Sequence, residues 1–227
     1  MKLLARMIAF LSFLIMFQYA NAAGNSVYVD QIGSGSTINF TQTGNSNEIG
    51  NATTKATVNG NNNTITVEQI GNTNVARLSV DGTGATISSQ VTGDNNTVEI
   101  NCGSGGTCGA SQITNTITGD GNSVTQSSDG LAISTVNITT DNNTVTITNT
   151  STAVAGTKSS VDISSGGGNT VGIIQAGAAG TNGHDADVTI VGATNNIDIR
   201  QGGLVDSKVV STITGSGNSL TVKSNHQ

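Results

Sequence analysis

The side chains best placed to do chemistry in this sequence are amides, which recur at regular spacing. Asn74 and Asn96 lie eleven residues and thirty-three residues after Asn63, and Asn143 and Asn169 are separated by twenty-six. A side-chain amide carries both donors and an acceptor, so amides at matching heights in a stack can hydrogen-bond to each other along it. The predicted ladder residues are Asn25, Gln31, Gln42, Asn63, Gln69, Asn74, Asn96, Asn122, Asn143, Asn169, Gln175, Asn195, Gln201 and Asn218.

Side chains that could catalyse a reaction are few and dispersed. His184 lies in a Gly-rich stretch and His226 lies near the end of the sequence, and both are predicted to be exposed. Neither belongs to a nucleophile-elbow motif. A β-helix enzyme that cleaves polysaccharides would need clustered carboxylates or basic residues, which the sequence does not show. We therefore predict a protein that is not an enzyme and needs no cofactor or metal.

Cys102 and Cys108 flank a short run of Gly, Ser and Thr. In an exported protein, a pair at this spacing is typical of a disulfide that clips a loop, and two free thiols are the alternative. A metal site would need further ligands nearby. We predict a disulfide between Cys102 and Cys108.

The elements that must position the amides are copies of one short unit, G-x-x-N-x-(I/V/L)-x-(I/V). Its copies occupy residues 60–67, 93–100, 166–173, 192–199 and 215–222. Within the first copy, Ile65 and Val67 share a face with Asn63, whereas Thr64 and Thr66 point the other way. A period of two predicts a half-buried strand, not a helix.

Strands of this kind, separated by Gly-Asn and Asn-Gly turns, predict a repeat fold. Two strands and their turns form one coil of about 22 to 26 residues, and successive coils stack so that each backbone pairs with the next. The absence of Pro is consistent with a ladder that needs every N–H. We predict an all-β fold, a β-solenoid of stacked strand–turn–strand repeats with about eight or nine rungs over residues 23–227.

The first 22 residues have the pattern of a secretory signal peptide. Lys2 and Arg6 form a basic head, an apolar run follows, and Ala20 and Ala22 supply the small residues before a cleavage site. The apolar run is too short to span a membrane comfortably. We predict a signal peptide over residues 1–22, export through the periplasm, and a mature chain at the cell surface that does not span the membrane.

The charge pattern argues against nucleic acid as a partner. The formal net charge is −6, and the eight basic residues are scattered singly along the sequence. No basic stripe is present that could follow a phosphate backbone.

The order of residues resembles the repeat of the curlins, the subunits of curli fibres. That repeat has Ser or Asn, five residues, Gln, one residue, Gly, two residues, Asn, one residue and Ala, with a closing Gln. The matching residues here are Asn63, Gln69, Gly71, Asn74 and Ala76 and, less closely, Asn25, Gln31, Gly33, Ser36, Ile38 and Gln42. Later copies keep only one of the two strands of the repeat pattern, with Gln175 and Gln201 in the Gln position.

The resemblance covers residues 25–80 and is partial beyond them. It implies a secreted functional-amyloid subunit of a biofilm matrix with a role in surface adhesion. Its implied partners are further copies of itself, a nucleator and an outer-membrane secretion pore. Three features depart from the family. Val80 replaces the closing Gln, the Gly-rich segment that precedes the family's first repeat has no counterpart before Asn25, and the later coils are longer and more degenerate.

The ends of the predicted stack favour self-association. Repeat strands at residues 25–29 and 218–222 carry no helical or Pro-bearing cap in the sequence pattern, and open strand edges template further strands. Acidic residues in turns, such as Asp94, Asp120 and Asp141, have two interpretations: ordinary turn chemistry, or gatekeepers that slow aggregation.

Two other functions remain open from the sequence. A non-polymerising β-solenoid adhesin would have the same repeats without fibre growth. A carbohydrate-binding or ice-binding surface protein would use outward rows such as Thr144, Thr146 and Thr148, although the row is interrupted at Gly172.

Overall fold

The computed structural model describes residues 24–103, 111–128, 131–151, 156–177 and 182–226. All of the regular secondary structure in these ranges is β-strand. The predicted signal peptide lies outside these ranges. The strands are β1 (Ser26–Val27), β2 (Val29–Ile32), β3 (Thr37–Thr43), β4 (Glu48–Ile49), β5 (Ala56–Asn59), β6 (Thr64–Ile70), β7 (Val75–Asp81), β8 (Thr86–Thr92), β9 (Thr97–Asn101), β10 (Gln112–Thr118), β11 (Ser123–Ser128), β12 (Ala132–Ile138), β13 (Thr144–Ser151), β14 (Thr157–Ser165), β15 (Thr170–Gly177), β16 (Asp185–Val191), β17 (Asn196–Gly203), β18 (Lys208–Thr214) and β19 (Ser219–His226).

The strands form two parallel sheets, and the chain passes from one sheet to the other at each turn. The first sheet has eleven strands in the order β1-β4-β7-β9-β11-β13-β15-β17-β19, with β2 and β5 beside this path. The second sheet has eight strands, in the order β3-β6-β8-β10-β12-β14-β16-β18. Each strand therefore pairs with the strand one coil further along, which makes the fold an all-β solenoid.

The second sheet defines eight levels separated by seven steps, close to the predicted eight or nine rungs. At about 4.8 Å per step the stack is roughly 34 Å long. In the first sheet, β1 and β2 share a level, as do β4 and β5, because β4 and β5 both pair with β7. The first sheet therefore has nine levels among the described residues.

Alternation of side chains along each strand builds the core, as the period of two predicts. In β6, Ile65, Val67 and Gln69 are fully buried, whereas Thr64 is exposed. Corresponding Val and Ile residues from both sheets form one continuous apolar cluster. The interior between the sheets is therefore dry except at the amide and hydroxyl positions.

An insertion explains the irregular spacing between Asn47 and Asn63. Residues 50–55 loop out between β4 and β5 and split the first-sheet level into two short strands. Oδ1 of Asn51 accepts the backbone N–H groups of Thr53, at 2.9 Å, and Thr54, at 2.5 Å, which closes the loop as an Asx turn. The stack therefore absorbs an insertion without a change in the register of its neighbours.

Candidate functional site: the amide ladder and the sheet edges

One column of asparagines runs along the whole first sheet, at the position before each strand. At every step the backbone N–H of one asparagine donates to Oδ1 of the asparagine below, at 2.9 to 3.0 Å. The members between the two ends are at most 1% exposed. The column consists of Asn25, Asn47, Asn74, Asn96, Asn122, Asn143, Asn169, Asn195 and Asn218.

The amide nitrogen of the same side chains explains the Gly-x-x-Asn spacing. Nδ2 of Asn74 donates to the carbonyl of Gly93 at 2.7 Å, and Nδ2 of Asn96 donates to the carbonyl of Gly119 at 2.8 Å. The accepting glycine stands three residues before the next asparagine of the column. Five members of the column bond in this way to both the asparagine and the glycine of the level above: Asn47, Asn74, Asn96, Asn169 and Asn195.

This position requires glycine for two reasons: the backbone conformation there and the close contact with the turn of the next level. Gly93 has a φ of 128°, a region that residues with a Cβ rarely adopt. A Cβ on Gly93 would overlap the carbonyl oxygen of Gly119. The close approach of successive turns is what places the glycine carbonyl within reach of Nδ2.

One level lacks this glycine. Thr140 occupies the position, and its carbonyl and hydroxyl accept from Nδ2 of Asn143, at 3.2 and 2.9 Å. Among the described residues, Nδ2 of Asn122 has no hydrogen-bond partner, although Asn122 is 1% exposed. The departure from the repeat motif therefore coincides with the one unpaired amide of the buried column.

Two glutamine pairs form shorter ladders. Nε2 of Gln42 donates to Oε1 of Gln69, and Nε2 of Gln175 donates to Oε1 of Gln201, both at 2.9 Å. The first ladder stops because Gln69 meets Val91 in the next strand.

Two predicted ladder residues have different neighbours. Gln31 is half-buried and stands beside Val58 in the register of β2 and β5. Asn63 belongs to a column of the second sheet: its N–H donates to Oγ of Ser36 at 3.1 Å, and its Oδ1 accepts from the N–H of Ala85 at 2.9 Å. The run of side-chain hydrogen bonds in that column stops at Ala85, whose side chain has no acceptor. The structure thus places these two amides inward or partly inward but outside a column of amides.

Side chains that cross the interior show how the two sheets interlock. Oγ of Ser159, in β14, donates to Oε1 of Gln175 at 2.8 Å and lies 3.5 Å from Oδ1 of Asn149, so it contacts two successive strands of the first sheet. Nε2 of Gln201 donates to the carbonyls of Asp185 and Ser207, each at 2.9 Å, at two successive levels of the second sheet. The sheets are therefore offset by about half a step along the axis.

The sequence did not reveal two buried polar features. The sequence predicts that His184 is exposed, and this is wrong: it is fully buried, with Nδ1 2.8 Å from Oγ of Ser207 and Nε2 3.1 Å from the carbonyl of Ala176. Asn115 is also fully buried, and neither of its side-chain polar atoms has a partner among the described residues. The alternation of side chains along β10 places Asn115 on the inward face, and this alternation is the signal that the sequence offers.

Acidic side chains form a second, outer column at the turns. The N–H of Asn72 donates to Oδ1 of Asp94, that of Asp94 to Asp120, and that of Asp120 to Asp141, at 2.7 to 2.8 Å. Each carboxylate therefore accepts a bond from a neighbouring turn, as the turn interpretation expects. The column also stacks three like charges.

The cysteines fall on the border of the described residues. Cys102 is fully buried and its sulfur is engaged in a disulfide. Cys108 lies outside the described residues, so the pairing of the two stays a prediction.

Outward threonines do not form an uninterrupted surface. Thr146 is followed in register by Gly172 and Asp198, and Thr148 by Ile174 and Arg200. A flat array that orders water or meets a sugar surface would need the same side chain at successive levels, so the register weakens this alternative.

Fold and ladder together define a two-sheet parallel β-solenoid whose repeats are joined by buried asparagines. In the part of the chain that the structure describes, no helix is long and apolar enough to cross a membrane. Comparison with known proteins found no matching family model, no matching curated protein and no matching solved structure.

Proposed function

We propose that this chain is the structural subunit of a secreted, amyloid-like fibre that grows by end-to-end stacking of solenoids. The main support for this proposal is the asparagine column, which is hydrogen-bonded at every level. At each end of the column, within the part of the chain that the structure describes, a hydrogen-bonding group is left without a partner. Oδ1 of Asn218 and the N–H of Asn25 have no partner among the described residues. Another copy can extend such a column without any new type of contact.

The apolar residues of the end strands support the same proposal. Inward Val and Ile residues at interior levels are almost fully buried, whereas most inward apolar residues of the end strands are only partly buried. The partly buried members are Val27, Val29, Ile38, Phe40, Val209, Leu220 and Val222. Stacking a second copy on either end would bury this apolar area together with the open strand edges.

The resemblance of residues 25–80 to the curlin repeat supports the finer part of the proposal. On that basis the fibre lies at the cell surface, contributes to a biofilm matrix and to adhesion, and depends on a nucleator and an outer-membrane pore. A subunit that is assembled outside the cell needs no active site, since its function is the stability of the stack.

Fibre growth tests the proposal. The purified chain without residues 1–22 should give a sigmoidal thioflavin-T signal that preformed seeds shorten, with unbranched fibres in electron micrographs. Leu220→Glu, which places a charge inward at the last edge, should abolish growth while the monomer stays folded, because inward charges block edge pairing. Thr221→Glu, one residue on and outward, is the matched control. A β-rich monomer that stays monodisperse for days at tens of micromolar would leave the adhesin as the better assignment.

A further inference from the structure

The two ends of the described stack are stepped. At the first end, β1 and β2 of the first sheet come half a coil before β3 of the second sheet. At the last end, β19 of the first sheet comes half a coil after β18 of the second sheet. The first sheet therefore extends beyond the second at both ends.

The interior contacts show that this half coil corresponds to half a step of height. Gln201, in β17, bonds to carbonyls at the start of β16 and just before β18, so β17 lies between those two strands in height. Ser159, in β14, likewise bridges β13 and β15. The strands of the two sheets alternate along the axis, and each end exposes one protruding strand edge and one recessed strand edge.

We propose that a second copy of this chain docks on the last end after half a turn about the stack axis, so that β1 and β2 pair with β18, and β3 pairs with β19. This inference rests on the proposed fibre function and specifies the arrangement of its subunits. A protruding edge then meets a recessed edge at both contacts. The strands stay parallel, because β-strands of the two sheets run in opposite directions and the half turn reverses the docking copy.

Stacking without rotation would leave a gap. The protruding β1 and β2 of the docking copy would sit on the protruding β19, and the space between β18 and the next copy's β3 would be one strand too high. Both of those strands would then keep a row of unpaired backbone groups inside the fibre, which folded proteins avoid.

The half turn also places a side-chain acceptor below a backbone N–H at both contacts. Ser207 occupies the position before β18, and Asn218 the position before β19. Rotated docking places Oγ of Ser207 below the N–H of Asn25, and Oδ1 of Asn218 below the N–H of Ser36. A hydroxyl already serves as the acceptor inside the stack, where the N–H of Asn63 donates to Oγ of Ser36 at 3.1 Å.

Apolar side chains match across the rotated junction. On the outside, Val210 is 62% exposed and would lie beside Tyr28, which is 38% exposed. The inward neighbours would be Val209 with Val27, Leu220 with Ile38, and Val222 with Phe40.

The unrotated arrangement has one advantage of its own. It would place Lys223 beside Asp30, both of which are exposed. A single exposed ion pair contributes far less than the backbone hydrogen bonds of a whole strand, so the rotated arrangement is favoured.

Cysteine pairs distinguish the two arrangements in the fibre. Tyr28→Cys with Val210→Cys, and Asn39→Cys with Thr221→Cys, make neighbours only across a rotated junction. Tyr28→Cys with Thr221→Cys makes neighbours only across an unrotated one. The two positions of each pair lie at opposite ends of one chain, so any crosslink joins two copies. All four positions are exposed, and circular dichroism of each monomer verifies that it folds.

Fibres of each variant are mildly oxidised and separated on non-reducing gels. We expect ladders of multiples of the chain from the first two pairs, at least tenfold more intense than from the third. Ladders from the third pair alone, or from none of the three, would overturn the rotated arrangement and leave the fibre function standing. If the unsubstituted chain forms no fibres, both the arrangement and the proposed function fail.

Discussion

The backbone N–H of Asn122 donates to Oδ1 of Asn96 at 2.9 Å, and the carbonyl of Asn122 accepts from the N–H of Thr97 at 2.8 Å. An asparagine thus bonds the adjacent level through both its side chain and its backbone. The position before each strand is where a parallel ladder would otherwise end and leave an N–H without an acceptor. The asparagine column extends the ladder by one residue into the turn, at every level.

Removal of one interior asparagine should destabilise the stack. Asn96→Ala leaves the buried N–H of Asn122 without its acceptor and the carbonyl of Gly119 without its side-chain donor. We expect the free energy of unfolding to fall by about 2 to 4 kcal/mol, since each unsatisfied buried group costs about 1–3 kcal/mol. Urea unfolding followed by circular dichroism measures the change, and an unchanged midpoint would mean that the column does not stabilise the fold.

The opposite result is expected for Asn115, a buried asparagine outside the column. Asn115→Leu replaces an amide whose polar atoms are both unpaired among the described residues by an apolar side chain of similar volume. The free energy of unfolding should rise by about 1 kcal/mol or more, because the cost of burying an unpaired amide disappears. A loss of stability in the same urea experiment would show that Asn115 has a partner that the apolar side chain cannot replace.

Replacement of glycine by alanine should have different effects on stability at two positions. Gly93→Ala adds a Cβ that overlaps the carbonyl of Gly119, at a φ of 128°, and should lower the melting temperature and slow fibre growth. Gly172→Ala adds a Cβ whose nearest neighbour is 3.9 Å away. That variant should be neutral or slightly more stable, since alanine costs less than glycine in a strand by about 0.5–1 kcal/mol. Equal effects would contradict the close-approach argument.

The acidic column should slow assembly. Replacement of Asp94, Asp120 and Asp141 together by Asn keeps the acceptor for each neighbouring N–H, as Asn72 does for Asn45 at 3.0 Å, and removes three stacked charges. The thioflavin-T lag should shorten by severalfold at low salt and converge with that of the unsubstituted chain at high salt. Three amide substitutions at Glu48, Glu68 and Glu99 change the net charge equally and serve as the control. An unchanged lag would leave only the turn function for these residues.

The cysteines should carry no free thiol. The unreduced chain, denatured in guanidinium, is expected to react with no thiol reagent, because Cys102 is engaged in a disulfide and the sequence contains two cysteines. The same chain after reduction should show two thiols. Two thiols before reduction would contradict the predicted Cys102–Cys108 bond.

Strand positions and inward faces could be predicted because they depend on neighbouring residues alone. The period of two in β6 and β7 places Asn63, Gln69, Asn74 and Val80 inward, and all four are buried. His184 could not be placed in this way. Its Gly-rich surroundings resemble a surface loop, yet it stands in the column before β16, where Ser207 and Ala176 enclose it.

The sequence by itself determined the alternation of strands and turns, the inward position of the amides and the need for glycine three residues before an asparagine. These follow from local sterics and from the parity of the strand. Only the tertiary structure decided which side chain lies above which. The neighbour of a side chain in the next coil depends on the combined length of two strands and the turns between them. Oδ1-to-N–H contacts in the asparagine column join residues 21 to 27 apart. Gln42 is therefore paired in register with Gln69, whereas Gln69 is paired with Val91. The half-step offset between the two sheets, which shapes both ends of the stack, likewise results from the winding of the whole chain.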